Sequence, residues 1–148
     1  GLPLILSCGM STLEEVRQAV AIAPGAAILV CTSEYPCPPA AANVRRVSTL
    51  REAFPDNVIG YSDHTALTSA AAVSSLALGA RIFECHFTLS HQTIDGPDHW
   101  WSRTPAELAS WVTSIRTSDK MLGTGVVEPT PAERRVKSET KGEGMSLD

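Results

Sequence analysis

Apolar residues fall along this chain in short, nearly continuous runs separated by amphipathic stretches. Leu4, Ile5 and Leu6 make the first run, and Ser11, Thr12, Leu13, Glu14 and Glu15 then read as a capping box opening a helix through Ala23. Pro24 and Gly25 stop that helix, and Ala27, Ile28, Leu29, Val30 and Cys31 form a second run. A Pro-rich turn leads to a helical period over residues 43–54. Pro55, Asp56 and Asn57 break the chain before Val58, Ile59, Gly60 and Tyr61, and residues 67–78 predict an Ala-rich helix that Gly79 can close. Residues 81–86 are the fourth run; Thr104, Pro105, Ala106 and Glu107 then supply the N-cap, N1 proline and acidic first turn of a last helix reaching Lys120.

Strands that are apolar almost throughout, alternating with helices, predict a parallel sheet covered on both faces, so the fold class is α/β. Such strand-helix units, four in this chain, are half of a TIM (β/α)8 barrel, which typically takes about 250 residues. An open doubly wound sheet is the competing architecture. It usually carries a Gly-rich phosphate fingerprint after its first strand, and Cys8, Gly9, Met10 and Ser11 do not spell one. Polar residues crowd the C-terminal end of every run, where barrel enzymes place their chemistry. Residues 1–135 are assigned to this partial barrel domain, and residues 136–148, polar and poor in apolar content, are expected to be a disordered tail. The entry straight into a strand from Gly1 gives the expectation of a fragment.

With 43% hydrophobic and 19% charged residues, the chain has enough apolar content to bury a core. A net charge of -4, with no basic run longer than Arg45 and Arg46 or Arg134 and Arg135, argues against a nucleic-acid partner. No stretch approaches the roughly 20 apolar residues that span a bilayer, so a soluble, cytoplasmic protein without a membrane partner is expected. Cys8, Cys31, Cys37 and Cys85 sit in or beside apolar runs and are expected to be reduced.

The strand ends carry Ser7; then Thr32, Ser33, Glu34 and Tyr35; then Ser62, Asp63 and His64; then Glu84 and His86. In a parallel barrel these ends converge. Period-two alternation sets Glu84 and His86 on one face, and His64 follows the neighbouring strand. Two imidazoles from adjacent strands can share a divalent metal and leave positions open for substrate. Three other readings compete. Each His could simply satisfy a polar strand end. Ser62, Asp63 and His64 have the residue types of a hydrolase triad, but their adjacency and the lack of a G-x-S-x-G elbow argue against one. A structural zinc site from Cys31, Cys37, His64 and His86 fits none of the usual ligand spacings. In the loop of Asp95, Gly96, Pro97, Asp98, His99, Trp100 and Trp101, Asp98 could accept hydrogen bonds from a polyol, with Trp100 or Trp101 as a wall. Turn chemistry accounts for Asp95, Gly96 and Pro97 equally well.

Several segments occur in the order found in a known family: Ser7 to Met10, Cys31 to Pro36, Gly60 to Thr65, Glu84 to Thr88, and Gly96 to His99. Together they resemble the sialic acid synthases, which include N-acetylneuraminate, legionaminic, pseudaminic and spore-coat polysaccharide synthases. The resemblance implies units five to eight of an eightfold barrel, the C-terminal half. It implies condensation of phosphoenolpyruvate with an N-acetylated amino-sugar aldehyde such as N-acetylmannosamine, releasing phosphate. It also implies a divalent metal, manganese first and magnesium or cobalt as alternatives, and a homodimer for the full-length protein. By the same resemblance His64 and His86 are the metal ligands, and Glu84 and Tyr35 line the catalytic centre. Ser62 helps hold phosphoenolpyruvate, Ser33 and Ser7 are further substrate-binding positions, and Asp98 contacts the sugar. Many members have Lys where this chain has Leu2, and Asn is frequent where it has Ser33. The fragment alone is expected to be inactive. A non-catalytic barrel half serving as a binding or assembly module is the second functional reading.

Overall fold

The computed structural model describes residues 2–93 and 96–142, so Asp95 of the expected turn and the end of the expected tail lie outside the described residues. Strands β1 (Ile5–Ser7), β2 (Ala27–Val30), β3 (Ile59–Asp63) and β4 (Ile82–Cys85) form one sheet in the order β1-β2-β3-β4. Every pairing in it is parallel. Helices α1 (Leu13–Ile22), α2 (Arg46–Ala53) and α3 (Ala70–Ala77) follow the first strands, and α4 (Pro105–Leu122) follows β4. The strand order never reverses, so the sheet has no switch point of the doubly wound kind and turns steadily as a barrel segment does.

The core lies between sheet and helices. Ile28, Val30, Ile59 and Tyr61 from the strands meet Val16, Val47, Leu50, Phe54 and Ala71 from the helices. A smaller cluster joins Ala72 and Leu76 of α3 to Trp111 and Ile115 of α4. Thr12 caps α1 and Thr104 caps α4, each in a reciprocal box with the Glu three residues on. No helix among the described residues is long and apolar enough to cross a membrane.

Three boundaries differ from the expected ones, each for a local reason. The helical period over residues 43–54 is broken by Asn43, whose φ of 41° is left-handed, so a short 3-10 turn (Pro39–Ala41) precedes α2. The helix expected from residue 67 begins at Ala70, because Leu67 has a φ of 44° and the Thr68 hydroxyl accepts the Ala70 N–H. The expected disordered tail is helical through its described part, as α5 (Pro131–Gly142). The cause is a capping box: the Thr130 N–H donates to Glu133 Oε2 at 2.7 Å and the Glu133 N–H to Thr130 Oγ1 at 3.2 Å.

Strands β1 and β4 are sheet edges, and Leu4 before β1, Ile5 on it and Phe87 after β4 are about half exposed (51%, 50% and 51%). Unpaired parallel edges beside exposed apolar side chains recruit further strands. The isolated 148-residue chain is therefore expected to dimerise or aggregate; light scattering showing a monodisperse monomer would contradict this.

Candidate active site

The sheet register sets which side chains share the inner face. Ser7 pairs with Leu29, Leu29 with Gly60, Gly60 with Ile82, and Ser62 with Glu84. Alternation turns the intervening Val30 and Tyr61 towards the helices, where they join the core. Glycine keeps this face open at the mouth: a Cβ on Gly9 would collide with Ser33 Oγ and lie 2.9 Å from Cys31 Sγ.

His64 and His86 extend the same face past the ends of β3 and β4. Their ring centroids lie 5.3 Å apart with the planes nearly perpendicular. Tyr35, from the loop after β2, covers both, at 4.5 Å from His64 and 5.8 Å from His86. His64 is buried, His86 partly so, and Tyr35 half exposed.

Hydrogen bonds select the tautomer of each ring. His64 Nδ1 lies 2.7 Å from the Thr32 carbonyl. A carbonyl only accepts, so Nδ1 carries the proton and Nε2 of the neutral ring keeps its lone pair. That Nε2 faces Ser62 Oγ at 3.2 Å, while Ser62 Oγ lies 2.6 Å from Glu84 Oε1. An imidazole nitrogen, a hydroxyl and a carboxylate are thus gathered at one point, and imidazole and carboxylate are donor types that hold a divalent cation. His86 Nδ1 approaches Asp98 Oδ2 at 3.5 Å, so the carboxylate stands on the Nδ1 side of that ring. Burial, and next the neighbouring His64, push the His86 imidazole below its ordinary 6.5, against weaker upward pulls from Asp98 and Glu84. The ring is therefore neutral at pH 7 and able to ligate. A ring N–H held by a carbonyl or carboxylate is the usual outer partner of a metal-bound His.

Among the described residues no group of three or more His, Cys, Asp and Glu side chains is arranged around a metal position, so a zinc site of Cys31, Cys37, His64 and His86 is not assembled. Burial raises the thiol pKa of Cys8, Cys31, Cys37 and Cys85, as expected of packing cysteines. The other expected site residues fall where the strand ends put them. Ser62 is buried between Glu84 and His64, Ser33 is partly buried under Gly9, and Ser7 is exposed on edge strand β1. Asp98 stands against His86.

Phe87, Thr88 and Arg103 close the end of β4. The Arg103 N–H donates to the His86 carbonyl and the Thr88 N–H to the Arg103 carbonyl, both at 2.9 Å. Glu107 of α4 anchors the loop by receiving His91 Nε2 at 3.0 Å. Glu107 and the His99 carbonyl raise the His91 pKa above its ordinary 6.5. Glu107 is held at about 2, by Thr104 first and His91 next. The His91 contribution is complete below pH 6.5 and is lost as pH rises through the raised value; that of Glu107 is complete above 4.5 and is lost as pH falls towards 2. Loop anchoring should therefore be strongest between pH 4.5 and 6.5. An NMR titration should place the His91 midpoint above 6.5, returning towards it in Glu107→Gln. A midpoint insensitive to that substitution would contradict the pairing.

Sequence reading passed over two features. Asp63 and Arg103, both fully buried, pair at 2.8 Å. Arg103 also donates to the Thr68 carbonyl, Trp111 Nε1 donates to Asp63 Oδ2, and the Thr65 N–H and hydroxyl donate to Asp63 Oδ1. One signal was available: alternation puts Asp63 on the helix-facing side of β3, where a lone carboxylate needs a cation. The second feature is the choice between Trp100 and Trp101, which falls on Trp101. It is 1% exposed and packs on His86 at 4.5 Å, whereas Trp100 is 59% exposed.

Comparison with known proteins bears on the family and the fold. The chain matches the NeuB family over residues 1–127. It is 41% identical over 165 residues to an uncharacterised protein of Methanocaldococcus jannaschii, covering 100% of this chain and 48% of that protein. To the N-acetylneuraminate-9-phosphate synthase of Mus musculus it is 39% identical over 137 residues, covering 90% of this chain and 38% of the synthase. Its fold superposes with a TM-score of 0.80, at 34% identity, on the crystal structure of an N-acetylneuraminic acid synthetase from Leptospira borgpetersenii, covering 96% of this chain and 50% of that one. The chain thus spans half or less of the length of these relatives. The order of parallel strands and the match over most of the chain agree: it belongs to the NeuB family of sialic-acid-type synthases.

Proposed function

We propose that this chain supplies the metal-binding half of a synthase that condenses phosphoenolpyruvate with an N-acetylated amino-sugar aldehyde. The observation that supports this most is the facing pair of His64 and His86, 5.3 Å apart, with Nδ1 of His64 held by the Thr32 carbonyl, its Nε2 turned to Ser62 Oγ, and Nδ1 of His86 turned to Asp98. His64 and His86 would hold a divalent ion, manganese in the first instance. Bound there, such an ion supplies Lewis-acid polarisation of the sugar aldehyde.

The chain's own residues do the rest. Ser62, Ser33 and Ser7 line the inner face and offer hydroxyls to the carboxylate and phosphate of phosphoenolpyruvate. Asp98 accepts hydrogen bonds from sugar hydroxyls, and Tyr35 walls the site above both imidazoles. The new carbon-carbon bond joins C3 of phosphoenolpyruvate to the aldehyde carbon, whose oxygen takes up a proton. Water adds at C2, and phosphate leaves from that carbon. Glu84, exposed on the inner face beside Ser62, is placed to take the proton from that water. The remaining barrel units and a homodimeric partner belong to the whole protein, in the cytoplasm where phosphoenolpyruvate is made.

The test is phosphate release by the whole polypeptide that carries these residues, supplied with phosphoenolpyruvate, N-acetylmannosamine and manganese. Release that requires all three supports the reading. Its absence with every N-acetylated amino-sugar tried would favour a barrel half that binds or assembles without catalysis.

A further inference from the structure

His64 and His86 are held by different means. The ring of His64 is fixed by its 2.7 Å bond to the Thr32 carbonyl and is buried. His86 has no comparable bond: its Nδ1 lies 3.5 Å from Asp98, too long for a strong hydrogen bond, and both side chains are partly exposed. The torsion that turns an imidazole about its Cβ bond is broad and nearly two-fold, so such a ring rotates unless something flat holds it. Trp101 is that surface. Its ring lies 4.5 Å from the His86 ring, tilted by 37°, and 6.3 Å from His64 and 5.9 Å from Tyr35.

Trp101 is itself fixed from behind. Its N–H and that of Ser102 point back to the Asp98 carbonyl, and the next residue, Arg103, bonds to the His86 carbonyl and pairs with Asp63. A tight turn therefore carries Asp98 to one edge of His86 and Trp101 to its face, tied to the strand that bears His64. We propose that Trp101 is a positioning residue: its indole face holds the His86 ring so that Nε2 points to the ligand position shared with His64. This rests on the metal-binding reading above and adds the group that preorganises it. Trp101 thereby acts on the metal pair and leaves the sugar wall to other groups.

The experiment has two arms on the whole polypeptide that carries these residues, comparing wild type with Trp101→Leu, Trp101→Phe and Trp100→Phe. Leucine keeps an apolar side chain in the buried site without a planar face; phenylalanine restores the face. In the first arm manganese affinity is measured by the loss of the free-ion paramagnetic resonance signal. Trp101→Leu should weaken binding about ten-fold, the scale of outer-partner substitutions at metal sites, while Trp101→Phe and Trp100→Phe stay close to wild type. In the second arm, without metal, the nuclear Overhauser contact between the His64 and His86 rings should persist in wild type and Trp101→Phe and vanish in Trp101→Leu. Unchanged affinity and an unchanged ring contact in Trp101→Leu would overturn the proposal. If wild type binds no manganese while the ring contact still depends on Trp101, the metal reading fails and the positioning role of Trp101 stands.

Discussion

Replacing Arg103 with methionine should destabilise the fold by about 3–5 kcal/mol, the usual result of removing one partner of a buried ion pair. Both oxygens of Asp63 are fully engaged: Oδ2 receives Arg103 and Trp111, and Oδ1 receives the Thr65 N–H and hydroxyl. Without the guanidinium the carboxylate keeps its neutral donors but loses the countercharge paired with it in a site closed to water. The Thr68 carbonyl also loses a donor, and Trp111 loses the cation 4.7 Å above its ring. Against a total stability of about 5–15 kcal/mol this is a large fraction. Replacing both partners, as Asp63→Asn with Arg103→Met, should recover much of the loss, because no charge is then stranded. Urea unfolding of the singles and the double decides the matter. A single variant within about 1 kcal/mol of wild type would mean that the pair carries no such weight. Because Asp63 stands between Ser62 and His64, a fold that tolerates Arg103→Met should still show a disturbed site.

The second large effect concerns the imidazoles. His64→Ala and His86→Ala together should lower condensation by the whole polypeptide on the order of a thousand-fold, the worth of several kcal/mol of Lewis-acid stabilisation. The singles should not add, since one imidazole cannot hold the ion in the geometry that both define. Burial pushes the His86 pKa down from 6.5, so the ligand-competent neutral ring persists below that pH. Proton competition for the site should accordingly set in below 6.5.

Much of this arrangement could be read from the chain. The strands announced themselves because Ala27 to Val30 are fully buried and hence continuously apolar, and polar residues began where each strand met the mouth. His64 and His86 were legible because period-two alternation carries Ser62 and Glu84 with them onto one face. What could not be read were partnerships set by the fold. The Thr32 carbonyl that fixes His64 is a backbone group, invisible in residue identity. Arg103 finds Asp63 from 40 positions away, so only the closed fold introduces them. The Thr68 carbonyl is taken by Arg103 as well, in the stretch ahead of the late start of α3. Of two adjacent tryptophans, sequence could not choose the one that reaches His86. Helix α5 was missed for another reason. Thr130, Pro131, Ala132 and Glu133 repeat the signal of Thr104, Pro105, Ala106 and Glu107, but polar composition beyond residue 136 outweighed it.

Metal binding by the His pair is most directly tested by titrating manganese into the whole polypeptide that carries these residues and into its His64→Ala with His86→Ala variant, following the free ion by paramagnetic resonance. The expected result is saturable binding of a single ion by wild type and none by the double variant. Equal binding by the two, or no binding by a wild-type chain shown to be folded, would contradict the assignment of His64 and His86 as the metal ligands.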